Sequence, residues 1–120
     1  MNAAEMLHTI KSHPDYHKAG MVLCHNGVVR ATARDGRRVS GLSVAVDHAR
    51  LDAVIDKARR TPGIVEVQVR IAENRPLAVG DDVMLLVVAG DFRENVLRTL
   101  EDTLNAIKST VTSKTEFYVD

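Results

Sequence analysis

The sequence predicts an α+β protein in which helices pack on a mixed, largely antiparallel sheet. Three observations lead to this class. Two long segments carry apolar residues at helical spacing, one segment alternates apolar and polar residues, and one continuous apolar run fits a strand buried on both faces. The predicted order of elements is α-β-β-α-β-β-α-β. With 120 residues, we expect residues 1–120 to form a single domain.

The first predicted helix covers about residues 3–12. Asn2 followed by Glu5 resembles a capping box, and Met6 and Ile10 can share one face of a helix. Pro14 ends this segment, because its ring cannot continue a helix.

Two strands are predicted next. Residues 19–33 are rich in β-branched residues, and the Asn26-Gly27 pair inside them fits either a turn or a bulge. The Asp35-Gly36 pair is typical of a hairpin turn. The sequence therefore predicts that residues 38–47 form a second strand, which pairs with the first through this turn.

The second helix and third strand follow. Asp47 is a good N-cap for residues 48–60, and Pro62-Gly63 closes that helix. Residues 64–71 then alternate cleanly, which predicts a strand with one wet face. The apolar face of this strand is expected to carry Val65, Val67, Val69 and Ile71.

The sequence of the C-terminal third predicts a strand, a helix and a final strand. After a loop over residues 73–82, the run at 83–90 is the strand expected to be buried on both faces. Asp91 and Glu94 form a second capping-box pattern. The helix behind them is expected to end near Lys108, and the final strand covers about 110–119. The apolar stripe of that helix comprises Val96, Leu97, Leu100, Leu104 and Ile107.

The amino-acid composition limits the kinds of partner that the protein is expected to bind. Sixteen basic and sixteen acidic side chains give zero formal charge, so we expect no nucleic-acid or membrane partner. The single cysteine, Cys24, fits a reducing compartment. No apolar run is long enough to span a bilayer or to form the core of a signal peptide. The expected location is therefore the cytoplasm.

Familiar catalytic and metal motifs are missing. His13, Asp15 and His17 lie in one loop, but they are too few for a closed metal site, so we expect a surface loop, no metal and no cofactor. Cys24 and His25 are neighbours on a predicted strand and point to opposite faces, which argues against a nucleophile and its base.

Cationic residues at the ends of elements are the remaining site candidates. Arg30, Arg75, Arg93, Lys108 and Lys114 all lie at such positions, where each alone is most often a solvated surface residue. Arg93 and Lys108 would lie at opposite ends of one helix, roughly 22 Å apart. If both serve one small ligand, a second chain must complete the site.

Four stretches resemble the large, catalytic subunit of molybdopterin synthase, the MoaE-like family. AGMVLCHNGVVRATARDGRRVSGL resembles the family segment G-A-x-x-x-F-x-G-x-V-R and the residues after it. The other stretches are HARLDAVIDKARR, VGDDVMLLVVAGDFRENVLRTLEDTLNAIK and KTEFYVD. The chain is identified on these stretches as a divergent member of the family.

The resemblance implies an α/β-hammerhead type fold and a homodimer within a heterotetramer. Each large subunit of such an assembly receives the C-terminal Gly-Gly tail of a small ubiquitin-like sulfur carrier, which bears a thiocarboxylate. Two sulfurs are transferred to cyclic pyranopterin monophosphate in molybdenum cofactor biosynthesis. The implied activity is that of a sulfurtransferase.

The resemblance also implies roles for particular residues. Lys108 and Lys114 match the catalytic lysines, whose ammonium groups can polarise the acyl-sulfur carbonyl or carry protons. Arg30 and Arg93 would bind the substrate phosphate. The remaining substrate-binding positions that it implies are Val28, Val29, Phe92, Thr115 and Glu116.

Several departures from the family pattern lie near this implied site. Phe92 replaces the histidine of a His-Arg pair, and the TVTSK segment before Glu116 is one residue shorter and lacks the usual tryptophan. A non-catalytic homologue that acts as a dimeric binding or scaffold protein is the alternative. A third reading is an α+β ligand-binding domain whose likeness is only architectural.

Overall fold

The computed structural model describes residues 2–119, which contain three α-helices and six β-strands. The helices are α1 (Ala3–Lys11), α2 (His48–Arg59) and α3 (Arg93–Ala106). The strands are β1 (Met21–Val28), β2 (Val39–Val46), β3 (Ile64–Ile71), β4 (Leu77–Ala78), β5 (Asp82–Gly90) and β6 (Thr112–Tyr118). A 3-10 turn (Tyr16–Lys18) follows α1, and a π-helical segment (Ile107–Val111) follows α3.

The strands form two three-stranded sheets. The first has the order β1-β5-β3 and the second the order β4-β2-β6. Every strand pair in residues 2–119 is antiparallel. The α+β class predicted from the sequence is confirmed, and the division of the strands between two sheets is the feature that hydrophobic patterning did not resolve.

The predicted hairpin between β1 and β2 is wrong. β1 pairs with β5 along its whole length, and the Asp35-Gly36 turn closes only one bridge, between Thr32 and Arg38. The apolar run of β5 is buried on both faces and takes a strand on each edge, so β1 completes the first sheet. Asn26 and Gly27 pair with β5 within the strand and form no turn; the register shifts just after them, between Gly27 and Val28, where β5 carries the extra residue Val83.

Strand β5 organises the core, as its sequence predicts. Its residues from Met84 to Gly90 are all buried. Met84, Leu86 and Val88 pack with α2 and α3 on one face of the sheet. Leu85, Val87 and Ala89 pack with Met6 and Ile10 of α1 on the other face. Alternate side chains of one strand therefore fill two separate cores.

Strand β3 departs from its predicted alternation at its first residues. Val67 and Val69 face α2 and α3, as expected, but Val65 packs in the cluster on the α1 side. A register shift between Ile64 and Glu66 rotates the start of the strand and moves Val65 to the opposite face.

Two of the three predicted helix caps form. The Asn2 side chain accepts hydrogen bonds from the Ala4 and Glu5 amides, and Asp47 accepts one from the Arg50 amide. The capping box predicted at Asp91 is wrong, because Phe92 occupies the N-cap position of α3 without a side-chain bond.

Asp91 instead accepts hydrogen bonds from residues in the first turn of α3. Its Oδ1 accepts a hydrogen bond from Asn95 Nδ2 at 2.8 Å and another from the Phe92 amide. These donors, Asn95 first, lower the pKa of the Asp91 carboxyl below its ordinary value.

The pair formed by His48 and Glu73 makes stability depend on pH. His48 Nε2 lies 2.8 Å from Glu73 Oε1, and this hydrogen bond raises the pKa of the imidazole above its ordinary value. The pair therefore stabilises the fold fully below about pH 6.5, and this contribution is lost as the pH rises through the higher folded pKa. Thermal unfolding of the wild type and His48→Gln is expected to differ most near pH 5.5 and to converge by pH 8. A difference that grows with pH would contradict this.

None of the helices in residues 2–119 combines the length and the apolar character needed to cross a bilayer.

Candidate active site between the two sheets

A pocket of about 350 Å³ opens where one end of the first sheet meets the second sheet. Residues from both sheets, the π-helical segment and the loop after β1 line it. They are His25, Gly27, Val28, Arg34, Leu42, Val44, Ile71, Val83, Met84, Ile107, Lys108, Thr112 and Lys114. The structure thus brings the two lysines singled out in the sequence into one pocket, with Val28 beside them.

The π-helical segment places Lys108. Ile107 and Val111 are buried and anchor the segment in the core below. Its Ser and Thr side chains turn back on the helix: Ser109 Oγ donates to the Asn105 carbonyl at 2.8 Å, and Thr110 Oγ1 donates to the Ala106 carbonyl at 2.7 Å. Hydroxyl groups that compete for backbone carbonyls loosen a helix end, and π-helical turns recur at functional sites.

Strand β6 places Lys114. Thr112 and Lys114 are two residues apart and both line the pocket, as the alternation of a strand requires. Glu116 continues this face, with its Oε1 3.8 Å from Lys114 Nζ. Thr115, the neighbour of Lys114, is exposed and lies on the other face of β6.

Of the residues implied at the G-x-V-R segment, Val28 alone lines the pocket. Its side chain is 53% exposed, whereas Val29 is buried in a core with Leu42 and Val44. Arg30 is exposed, and its Nε donates to the Thr32 carbonyl at 2.8 Å. Val29 therefore anchors the chain between Val28 and Arg30.

Phe92 and Arg93 lie at the far end of α3 and do not line this pocket. Phe92 is 67% exposed. Arg93 is paired with Glu94 at 3.8 Å on the surface. The helix between Arg93 and Lys108 places them about 20 Å apart, so within one chain they cannot share a small ligand.

Arg34 lines the pocket and was not among the candidates from the sequence. It belongs to the loop between β1 and β2, which is held against β6 by Arg37, whose guanidinium lies 3.8 Å from the centre of the Tyr118 ring. Arg34 precedes the turn at Asp35, and the sequence gives no spacing signal that separates it from its neighbours Arg37 and Arg38.

His25 also lines the pocket and is not among the site residues expected from the sequence. It is half-buried, and its Nε2 is buried without a hydrogen-bond partner in residues 2–119. Burial lowers the pKa of the imidazole, and the positive charge of Lys108 lowers it further. Cys24 faces away and packs on the α1 side, as its position on the strand predicts, and burial raises the pKa of its thiol.

The chemistry of the pocket is that of an anion site. Arg34, Lys108 and Lys114 approach it from three different elements, and none of the residues that line it in the described chain is acidic. Apolar side chains, among them Leu42, Val44 and Ile71, form much of the remaining lining. In residues 2–119 no group of three His, Cys, Asp or Glu side chains is placed to hold a metal ion.

Comparisons with solved structures give the same fold. The chain is 23% identical to a molybdopterin synthase from Staphylococcus aureus, over 86% of this chain and 77% of that one, with a TM-score of 0.71. A molybdopterin cofactor biosynthesis protein E from Burkholderia multivorans is 22% identical, over 100% and 84%, with a TM-score of 0.77.

A third structure contains two kinds of subunit. It is a complex of subunits 1 and 2 of the molybdopterin-converting factor from Helicobacter pylori, 19% identical over 100% of this chain and 85% of that one, with a TM-score of 0.73. No curated protein sequence matches the chain significantly. Residues 1–110 match the family described as MoaE protein. On this match, which covers most of its length, the chain belongs to the MoaE protein family.

Proposed function

We propose that the chain is the large subunit of a molybdopterin synthase and transfers sulfur in molybdenum cofactor biosynthesis. Its donor is the C-terminal Gly-Gly thiocarboxylate of a small ubiquitin-like protein, and its acceptor is cyclic pyranopterin monophosphate. The observation that carries the proposal is that Lys108 and Lys114, from different elements, line one pocket. Family membership supports the role in cofactor biosynthesis.

The pocket suits a thin anionic tail. Two glycines have no side chains, so the tail fits a cleft whose apolar walls include Leu42 and Val44, while its terminal group meets the cations. Lys108 and Lys114 stabilise the negative charge that develops on the acyl oxygen when the acyl-sulfur bond is attacked. Glu116, 3.8 Å from Lys114 Nζ, holds that ammonium at the mouth of the pocket.

The direct test is reconstitution. Purified protein, a thiocarboxylated small subunit and cyclic pyranopterin monophosphate are expected to yield molybdopterin, measured as its fluorescent oxidation product. The same small subunit with an ordinary carboxylate is the control and should yield none. Absence of product with the thiocarboxylate, from folded protein that binds the small subunit, would refute catalysis.

Arg30 and Arg93 enter the proposal through a second copy of the chain. Arg93 lies about 20 Å along α3 from Lys108 and is exposed, so it is free to face a neighbouring subunit. A homodimer with pockets built from two chains would bring Arg93 of one copy to the lysines of the other and supply phosphate-binding cations.

Mixing inactive variants tests this arrangement. Lys108→Ala and Arg93→Ala are each expected to be inactive as homodimers. When they are unfolded and refolded together, half of the dimers are mixed, and each mixed dimer contains one intact site if the two residues come from different chains. Activity should then recover to about a quarter of wild type. No recovery, with mixed dimers verified by mass spectrometry, would contradict a site built from Arg93 of one chain and Lys108 of the other.

The alternative function is that of a dimeric binding or scaffold protein without catalysis. One observation favours it: Phe92 replaces the family histidine and is a solvent-exposed apolar side chain, as at a contact surface. It predicts binding of the small subunit without sulfur transfer. Complementation of a strain that lacks the large subunit would exclude it.

A further inference from the structure

An unpartnered nitrogen lies in the wall of the pocket. His25 Nε2 is buried and has no hydrogen-bond partner within residues 2–119. Buried polar side-chain atoms are nearly always satisfied, and exceptions call for an explanation, which at a functional site is often a missing ligand. His25 and both lysines line the same pocket.

The position of Nε2 is defined by its neighbours. It lies beside Gly27, at which an added Cβ would be 3.5 Å away, and Gly27 and His25 both line the pocket. Because Gly27 has no side chain, only its backbone lies next to Nε2 on that side. Strand β1 is fixed there by its pairing with β5, where His25 is opposite Leu86.

We propose that His25 is a catalytic residue, and that its Nε2 accepts the proton of the water that releases sulfur from its acyl carrier. This inference rests on the proposed function and assigns a base to the same pocket. The step begins from the thioester in which the donor sulfur links the acyl carbon of the carrier to the acceptor carbon. Water then adds to the acyl carbon and its proton passes to Nε2. The carbon-sulfur bond breaks, the carrier leaves as a carboxylic acid, and the sulfur stays on the acceptor as a thiolate.

The charges around His25 suit a neutral base. Three cations line the pocket: Lys108 from the π-helical segment, Lys114 from β6 and Arg34 from the loop before β2. Glu116 does not line the pocket, but its carboxylate lies 3.8 Å from Lys114 Nζ. Burial and then the charge of Lys108 lower the pKa of the imidazole, so it is unprotonated near pH 7. The lysines are left to stabilise the oxyanion while His25 takes the proton.

The test is single-turnover sulfur transfer by wild type and His25→Phe across pH 5 to 8. Phenylalanine keeps an aromatic ring of similar size and removes both ring nitrogens, so the variant is expected to fold. We expect its rate to fall about 100-fold, as for loss of a general base. The carrier joined to the acceptor through sulfur should accumulate and be visible by intact-mass spectrometry. The wild-type rate should rise with pH through the His25 pKa and then level off, and this dependence should vanish in the variant.

Two further variants sharpen the result. Gly27→Ala keeps His25 but places a methyl group 3.5 Å from Nε2, and it should slow the same step. His48→Phe changes a histidine outside the pocket and should keep both rate and pH profile.

The possible outcomes distinguish failure of the His25 assignment from failure of the proposed function. An active wild type with an unchanged rate and pH profile in His25→Phe would overturn the role of His25 and leave the proposed function standing. An inactive wild type would overturn both.

Discussion

Replacing Lys108 by alanine is expected to reduce sulfur transfer by at least about 100-fold, the usual cost of losing one group that stabilises an oxyanion. Lys108 lies on the π-helical segment, where the helix loosens at the pocket mouth, and its ammonium is one of three cations that face the pocket. Loss of this charge leaves the developing negative charge on the acyl oxygen less stabilised. The measurement is the initial rate of molybdopterin formation with a thiocarboxylated small subunit in excess.

The matched control is Lys57→Ala. Lys57 is an exposed lysine of α2 outside the pocket, so its removal keeps the change in net charge and should leave the rate within about twofold, as for surface substitutions far from a site. Both variants should unfold at nearly the wild-type temperature, because both side chains are exposed. Equal rates for wild type and Lys108→Ala would remove Lys108 from the reaction and with it the central assignment of the site.

Local sequence patterns predict most helices and strands, because residues close together in the chain determine where these elements form. The apolar run of β5 and the Asn2 and Asp47 caps form as expected, whereas the predicted stripe of α3 is wrong at Leu97, which is exposed while Thr99 and Thr103 are buried. Sheet partners depend on contacts between distant segments, which local patterns do not report. The Asp35-Gly36 turn illustrates this limit, since it closes one bridge while β1 pairs with β5.

The pocket was predictable only in part for the same reason. Lys108 and Lys114 were found through their family motif, and the geometry places them together. Cys24 and His25 lie on opposite faces of β1, as strand alternation predicts, but alternation does not tell which of the two faces the pocket. Arg34 reaches the pocket through a loop, whose path no periodicity predicts.

The second sheet supports the pocket floor, and Gly41 lies where two of its strands approach each other closely. Gly41 is buried on β2, opposite Ala78 of β4 and Phe117 of β6. A Cβ there would overlap the backbone carbonyl oxygen of Leu77 and lie 3.1 Å from its carbon. Backbone atoms of a paired strand cannot move aside as a flexible side chain can, so β4 must separate from β2.

Gly41→Ala is therefore expected to destabilise the protein by about 3 kcal/mol, the upper part of the range for overpacking a core. Gly27→Ala is the matched control, because a Cβ there has its nearest neighbour at 3.5 Å and Gly27 is not among the glycines with positive φ. Alanine also restricts the unfolded chain, so the control should lose no stability and can gain a few tenths of a kcal/mol. Chemical denaturation of the wild type, Gly41→Ala and Gly27→Ala measures the differences in free energy of unfolding.

Because β2 carries Leu42 and Val44 of the pocket floor, Gly41→Ala should also weaken binding of the small subunit under conditions where the protein remains folded. Equal stability of the two variants would show that β4 yields to the added methyl group and that the second sheet does not set the shape of the pocket.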